Sequence, residues 1–480
     1  MTRAVVVGSG PNGLSAALTL AAEGVEVTVL EAADTVGGGT RSAELTLPGL
    51  VHDECSGFHP LAVDNPFTRR FDLDRHGLRW RWPEVQYAHP LDGPPDGADG
   101  GPSLGRGAAA WRSVEQTAAS LGRDEAAWLQ VFGPLSRRFD DVAVDFLRPL
   151  AHVPRHPFAL AGFGLRAVPP ASVLARRWST PEARGLFAGA AAHAMRPFSS
   201  PVSSAVGVAL ATSAHRYGWP VAEGGSAAIS RATTSMLRML GGRVETGVEV
   251  TSLDQLDHPD LVLLDVAPAA AARIVGDRMP ARVRRAYGRY RHGPGAFKVD
   301  FAVEGGVPWS FRPARDAGTV HVGGDLAEVA GAEREVHRGR MPGRPFVLVG
   351  QQYVADPGRS RDGVHPLYAY AHVPSGFTGD ATAAIEAQIE RFAPGFGERV
   401  LARHVTTTGD LVAHNANYVG GDVVTGANTP TQLLFRPRFA ADPYSTGVDG
   451  VYLCSAATPP GAGAHGMCGW NAARSALRRL

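Results

Sequence analysis

The sequence predicts an α/β protein in which a Rossmann-like domain with a parallel sheet is joined to a second, α+β domain of sheet and helical cap. Three observations predict it. The first 31 residues read as strand, glycine turn, helix, strand and acid. The segment from Gly450 to Leu480 reads as strand, Pro/Gly-rich turn and helix. Between them lie an Ala/Leu/Phe-rich stretch broken by prolines and a stretch of alternating apolar residues. At 480 residues the chain has room for two or three domains.

In "RAVVVGSGPNGLSAALTLAAEGVEVTVLEA", Val5 to Val7 form a short buried β run. Gly8, Gly10 and Gly13 then spell GxGxxG. The first lets the chain turn sharply, the second lets backbone approach a pyrophosphate, and the third lets the helix sit close to the sheet. A helix beginning at Pro11 and Asn12 aims its free N–H groups and positive dipole end at the phosphates. The strand from Val25 to Leu30 ends in Glu31, 18 positions after Gly13, where a carboxylate can accept ribose hydroxyls. A bare GxGxxG is weak; with both strands, the helix and the acid it reads as a dinucleotide site.

"ADTVGGGTRS" follows, with Gly37, Gly38 and Gly39 ahead of Arg41. It resembles the glycine-pair motif that comes after the ribose acid in flavoproteins of the glutathione-reductase fold type. There, backbone and an arginine reach the FAD pyrophosphate, which implies Gly38, Gly39 and Arg41 as cofactor contacts. The usual form sets the arginine directly after the pair, whereas here Gly39-Thr40 intervenes. A flexible surface loop is the alternative reading. His59 in "CSGFHPL" comes next and is a candidate to reach a substrate pocket.

Residues 110–214 read as short helices folded over a cavity, with proline breaks in "FLRPLAHVPRHPFALAGFGLRAVPP". The loop "HPLDGPPDGADGGPSLGRG" reads as mobile from its Gly, Pro and Asp content. From Pro220 to Gly225 a turn leads into an amphipathic helix and a strand beginning at Arg243. "DLVLLDVAP" (Asp260 to Pro268) is another buried strand ending in a proline turn. "AFKVDFAV", "TVHVGG" and "FVLVGQQYV" predict an antiparallel sheet flooring the pocket.

"GVYLCSAATPPGAGAHGMCGWNAARSALRRL" predicts a strand from Val451 to Ser455 and a helix running to the last residue. It resembles the C-terminal segment of phytoene desaturase-type flavoproteins, where a helix N-terminus lies under the flavin and favours negative charge on the reduced ring. The resemblance implies Ala456, Gly466 and Met467 as FAD contacts. Gly461, Gly463 and Gly466 repeat the GxGxxG spacing, but the 14 residues after Gly466 hold no strand and no ribose acid, so this is no second dinucleotide site. "QLLFRPRF" matches the family's Gln-x-x-x-Arg-Pro stretch and implies Gln432 and Arg436 as substrate-pocket residues. The strand after Arg243 implies backbone near Val250 against the adenine end.

On these motifs the chain resembles phytoene-dehydrogenase-like FAD oxidoreductases, relatives of the flavin amine oxidases. It is closer to the bacterial NAD(P)/FAD-dependent oxidoreductase branch than to true carotenoid desaturases. The resemblance implies a discontinuous FAD domain of 1–75, 215–280 and 440–480. The remainder, 76–214 and 281–439, would bind substrate, with the helical cap at about 110–214. The implied reaction is hydride transfer from an apolar organic molecule to flavin N5, forming C=C or C=N. The electron acceptor stays open among O2, a quinone and another carrier. A flavin-dependent isomerase or cyclase and a non-catalytic flavin-binding partner protein are the alternatives.

The catalytic candidates are Lys298 and His465. Of 47 lysines and arginines only Lys298 is lysine, so its retention argues that a compact ammonium is used. Alternation in "AFKVDFAV" sets Lys298 and Asp300 opposite Phe297, Val299 and Phe301. Lys298 would hold a water at flavin N5, as a lysine does in amine-oxidase relatives. Pairing with Asp300 is the plainer alternative. His465 precedes the C-terminal helix, where a substrate contact competes with a cap. Tyr418 and Asp422 are weaker cavity candidates.

The remaining composition excludes more than it assigns. A net charge of +1 gives no reason to expect nucleic acid. Three cysteines without a CxxC pair support neither a disulfide framework nor a dithiol centre, and no ligand cluster suggests a metal. No run of about 18 apolar residues offers a membrane span. The arginine, Ala, Gly and Pro bias suggests a GC-rich bacterial genome, and a cytoplasmic location is the expectation.

Overall fold

The computed structural model describes residues 2–93, 105–150 and 152–480. The elements that build its two large sheets and the cavity they share come in the following order. β1 (Arg3–Val7), α1 (Pro11–Ala22) and β2 (Glu26–Leu30) are followed by β3 (Val85–Leu91) and β4 (Arg106–Trp111). Next come α2 (Pro157–Ala167), α3 (Pro181–Ala192), α4 (Ser204–Arg216) and α5 (Ala227–Met239), then β5 (Arg243–Glu245) and β6 (Leu261–Leu264). A run of strands follows: β7 (Gly295–Glu304), β8 (Ala317–Val322), β9 (Val347–Gly350), β10 (Val364–Val373) and β11 (Val400–Thr406). β12 (Val451–Leu453) and α6 (Met467–Leu477) come last.

The first sheet is parallel throughout, in the order β12-β6-β1-β2-β5. Its inner strands β1 and β6 are short Val/Leu runs because both faces are covered, which removes any need for polar alternation, whereas the edge strand β5 (Arg243–Glu245) exposes its two charged residues. On one face Val27 and Val29 pack with Ala16 and Leu20 of α1, Ile229 of α5 and Ala472 of α6. On the other, Val7, Val262 and Leu264 pack with Ala271 and Ile274. Three separated chain segments therefore share one sheet.

The second sheet has seven strands in the order β11-β7-β10-β9-β8-β3-β4. β3 and β8 run parallel and the other pairs antiparallel, so the sheet is mixed rather than wholly antiparallel. Along β7, Phe297, Val299 and Phe301 enter a core with Leu367, Ile385 and Ile389, while Lys298 and Asp300 take the other face. The helices α3 and α4 cover that other face through Phe187, Ala191, Val208 and Ala211.

Three expectations are corrected here. "FVLVGQQYV" is a strand only to Gly350, and Gln352–Ala355 is a helical turn. Gln351 ends the strand by donating its amide to the Ala314 and Ala317 carbonyls at 2.8 and 2.7 Å. Of the loop read as mobile, His89 to Leu91 and Arg106 to Gly107 are strand residues paired across β3 and β4, and 94–104 lie outside the described residues. The C-terminal helix stops at Leu477 rather than at the last residue. Among the described residues no single helix is long and apolar enough to cross a membrane; α2 with the segment to Arg177 reaches that length only as a pair bent by 92°.

Candidate functional site

A cavity of about 730 Å³ is shared by the two sheets. Gly10, Pro11, Asn12, Gly39 and Thr40 line it from the parallel sheet, and Lys298, Thr319, Leu348, Tyr368 and Tyr370 from the mixed sheet. Leu160 and Phe163 of α2 and Val206, Ala209 and Leu210 of α4 supply an apolar cover. The space suits an organic ligand that buries most of its surface.

The glycine turn is built as its spacing requires. Gly8 has φ +99°, and a Cβ on Gly13 would stand 2.1 Å from the Gly8 carbonyl oxygen, so only glycine lets α1 rise this close to β1. Asn12 lines the cavity with its Oδ1 buried and unpartnered. Behind the turn lies a group that none of the motifs marked. Asp265, one residue past β6, accepts the Gly13 N–H on Oδ2 at 2.9 Å. Its carboxyl is pushed up to about 7, first by burial and then by the Glu31 charge, against the lowering effect of the Gly13 and Gly10 N–H groups. A signal existed: the acid follows an apolar strand just as Glu31 follows β2.

Glu31 accepts from Ser9 N and Ser9 Oγ on one oxygen, at 2.8 and 2.6 Å, and from Ala33 N on the other at 2.9 Å. It thus braces the loop. The resemblance implies Arg41 at the pyrophosphate, but its side chain turns elsewhere. Its guanidinium donates to the Thr35 and His414 carbonyls, lies 3.6 Å from Glu31 and does not line the cavity. Gly38 packs against Gly10, and Gly39 reaches the wall. Val250 is a buried core residue of the parallel sheet, outside the wall.

At the far end of the chain, Ala456 lines the cavity and Gly466 and Met467 start α6. The Gly466 carbonyl accepts from Ser15 Oγ at 2.5 Å, tying α6 to α1. His465 does not line the cavity. Its Nδ1 accepts the Met467 N–H at 3.1 Å, and burial lowers it to about 4, so it is a neutral helix cap. His59 is likewise held away from the wall, with Nε2 2.9 Å from Ser226 Oγ and burial lowering it to about 4. Gln432 spends its side chain on the backbone of Arg291 and Ala427, outside the wall. Tyr418 lines the cavity, whereas Asp422 accepts from Gly293 N behind it.

Arg436 does line the cavity, and its environment is unusual. It is buried and donates only to uncharged oxygens: the Gln432 and Ala456 carbonyls and Asn428 Oδ1. Of the cavity-lining cations among the described residues, Arg148 pairs with Asp145 and Lys298 with Asp300, but Arg436 has no carboxylate. A buried guanidinium without a counter-ion favours an anionic group in the space it faces.

Lys298 lies where alternation set it, 4% exposed, with Nζ bonded to Asp300 and 5.4 Å from the Tyr368 ring centre. Asp300 in turn faces His52 Nδ1 at 3.4 Å. Burial raises the Asp300 carboxyl, but Lys298 and His52 outweigh it and hold it below the ordinary range. The wall also includes His193, which no sequence spacing marked; its partner His321 stands on β8.

The family model of an NAD(P)-binding Rossmann-like domain matches residues 6–71. Over 93 residues the chain is 41% identical to mouse "Pyridine nucleotide-disulfide oxidoreductase domain-containing protein 2", a match covering 19% of this chain and 16% of that protein. The same-named rat protein is 40% identical over 93 residues. Among solved structures, an oxidoreductase from Methanosarcina mazei superposes with a TM-score of 0.65 at 16% identity, over 99% of this chain and 100% of that one. Putrescine oxidase with bound putrescine gives 0.60 at 19%, over 100% and 98% of the two chains. Cyclohexylamine oxidase from Brevibacterium oxydans gives 0.57 at 17%, over 100% and 99%. At these identities the likeness is one of fold. The chain has a Rossmann-like nucleotide domain in a fold shared with solved oxidoreductases.

Proposed function

We propose that the protein is an FAD-dependent oxidoreductase that takes a hydride from an apolar organic substrate, leaving a new C=C or C=N bond. The observation that carries this is the single cavity volume in which the glycine turn, the Gly39 loop and the uncompensated Arg436 share a wall with the apolar α2 and α4 side chains. Such a wall suits a dinucleotide whose reactive end meets an apolar molecule. The fold shared with two amine oxidases supports the same reading.

Bound there, FAD supplies a two-electron hydride acceptor. The chain's own residues do the rest. Gly10, Pro11 and Asn12 offer backbone and the helix N-terminus to the pyrophosphate. Arg436 favours negative charge gained in the cavity on reduction. Leu160, Phe163, Val206 and Leu210 hold the substrate body and exclude water. Lys298, fixed by Asp300, keeps a proton-bearing Nζ at the wall, where it can orient a water or a substrate atom. O2, a quinone or another carrier would serve as the final electron acceptor.

The purified protein is expected to be yellow and to release FAD, identified by mass, on heat denaturation. Gly10→Val places a side chain where a Cβ alone would stand 2.6 Å from Asp265 Oδ2 and should leave the folded protein colourless. Full flavin content in that variant, or a wild-type protein that takes up no FAD, would overturn the reading.

A further inference from the structure

His193 caps the C-terminal end of α3 and lines the cavity. Its Nε2 lies 2.9 Å from Nε2 of His321 on β8. His321 is fully buried, with its ring centre 5.5 Å from Tyr87, 6.0 Å from Trp219 and 5.8 Å from Phe346. The ring is pressed on α3 so closely that a Cβ on Gly189 would stand 2.4 Å from its Nδ1. That Nδ1 has no partner among the described residues. Burial, helped by the nearby His372, brings His193 down to about 3, and burial with His193, His89 and His372 lowers His321 well below its ordinary value. Both rings are neutral.

Two neutral imidazoles that meet through Nε2 need one N–H and one lone pair. A proton on His321 Nδ1 would bury an N–H with no acceptor, a rarer and costlier state than a bare acceptor. His321 therefore donates from Nε2. His193 accepts there and carries its own proton on Nδ1, the ring nitrogen that His321 leaves free on a cavity-lining residue. On the same face of β8, two residues from His321, Thr319 is also a lining residue, though its Oγ1 is buried and unpartnered.

We propose that His193 Nδ1–H, fixed in this tautomer by His321, recognises an uncharged acceptor oxygen, carbonyl or hydroxyl, on an otherwise apolar substrate. A carboxylate fits less well, because a neutral pair brings no charge to compensate one removed from water. The inference rests on the apolar-substrate reading above, but its test does not pass through the flavin.

The full-length protein, labelled with 15N-histidine and with His193 assigned by loss of its signals in His193→Phe, should show His193 neutral and protonated on Nδ1 at pH 6. Acetophenone and ethylbenzene, which differ by a carbonyl against a methylene, serve as probes. Acetophenone should shift the His193 Nδ1 signal. The ratio of the two probes' Kd values should move about five- to tenfold against acetophenone in His193→Phe, the size of one neutral hydrogen bond. His193→Asn, which keeps a donor and serves if the Phe variant misfolds, should recover part of the preference. A proton on Nε2 of His193, no response to acetophenone up to its solubility, or a Kd ratio unchanged in both variants would each overturn the proposal. None of these results depends on whether FAD is retained.

Discussion

Lys298 shows how one side chain is bound into both fold and chemistry. Its ammonium is the counter-ion of a carboxylate with no exposure, so Lys298→Met leaves Asp300 as a buried charge with only the His52 ring beside it. Breaking such a pair from one side costs about 3–5 kcal/mol. Urea unfolding should register that loss for Lys298→Met and recover most of it in Lys298→Met/Asp300→Asn, where the charge is gone from both positions. A Lys298→Met variant as stable as wild type would show that the pair does not hold in solution. Lys298→Arg keeps the charge and should stay within about 1–2 kcal/mol of wild type, while substrate-driven flavin reduction slows about tenfold if a compact ammonium is what the reaction uses. The face of Lys298 was legible from period-2 alternation alone, and its pairing from Asp300 two residues on. His193 and His321 were not legible, because they stand 128 positions apart and no periodicity in between brings α3 to β8.

At the scale of elements, the crossing of α1 and α6 decides whether the nucleotide half closes. Gly469 lies where α6 meets the start of α1, and a Cβ there would stand 1.8 Å from the Asn12 carbonyl oxygen. Backbone cannot yield as a flexible side chain can. Gly469→Ala should therefore push the helices apart at an overpacking cost of about 1–3 kcal/mol. It should also displace Asn12 from the cavity wall, so a lowered unfolding midpoint and weaker dinucleotide retention are expected together. An unchanged midpoint would mean that the helices slide freely. The glycine turn, α1, α5 and the parallel strands were legible because local rules set each of them: Val/Leu runs, turn glycines and a 3.6-residue period. β4 was hidden because "RGAAAW" has no β-branched residue and is a strand only through its pairing with β3. β11 was hidden because it is an edge strand, half in solvent, whose place is set by its register on β7. Arg41, His59 and His465 were misplaced for a related reason: sequence position fixed their neighbourhood, but the nearest carbonyl, hydroxyl or N–H fixed where each side chain points.

Across the whole molecule, Asp265 stands at the seam. Its carboxylate receives the Gly13 N–H of the glycine turn, while its backbone carbonyl accepts from Asn417 Nδ2 at 3.1 Å. Asn417 Oδ1 takes the Ala267 N–H at 2.7 Å, so the chain after β11 is sewn to the end of β6. A carboxyl whose folded-state pKa is about 7 against an ordinary 3.8 binds its proton more tightly folded than unfolded. Its contribution to stability is therefore complete below about pH 4, declines as pH rises, and is gone above about pH 7. The distance between those two values bounds the change at about 4 kcal/mol. Asp265→Asn keeps an oxygen for the Gly13 N–H and removes the titration. Urea unfolding between pH 5 and pH 8 should show wild type losing stability relative to Asp265→Asn by a few kcal/mol, with the variant the more stable of the two at pH 8. A dinucleotide phosphate beside the turn adds a second negative charge, so wild-type affinity should also fall above pH 7 while that of the variant stays level. Parallel stability profiles for the two proteins across this range would show that Asp265 is ionised throughout and that water, rather than burial, governs the seam.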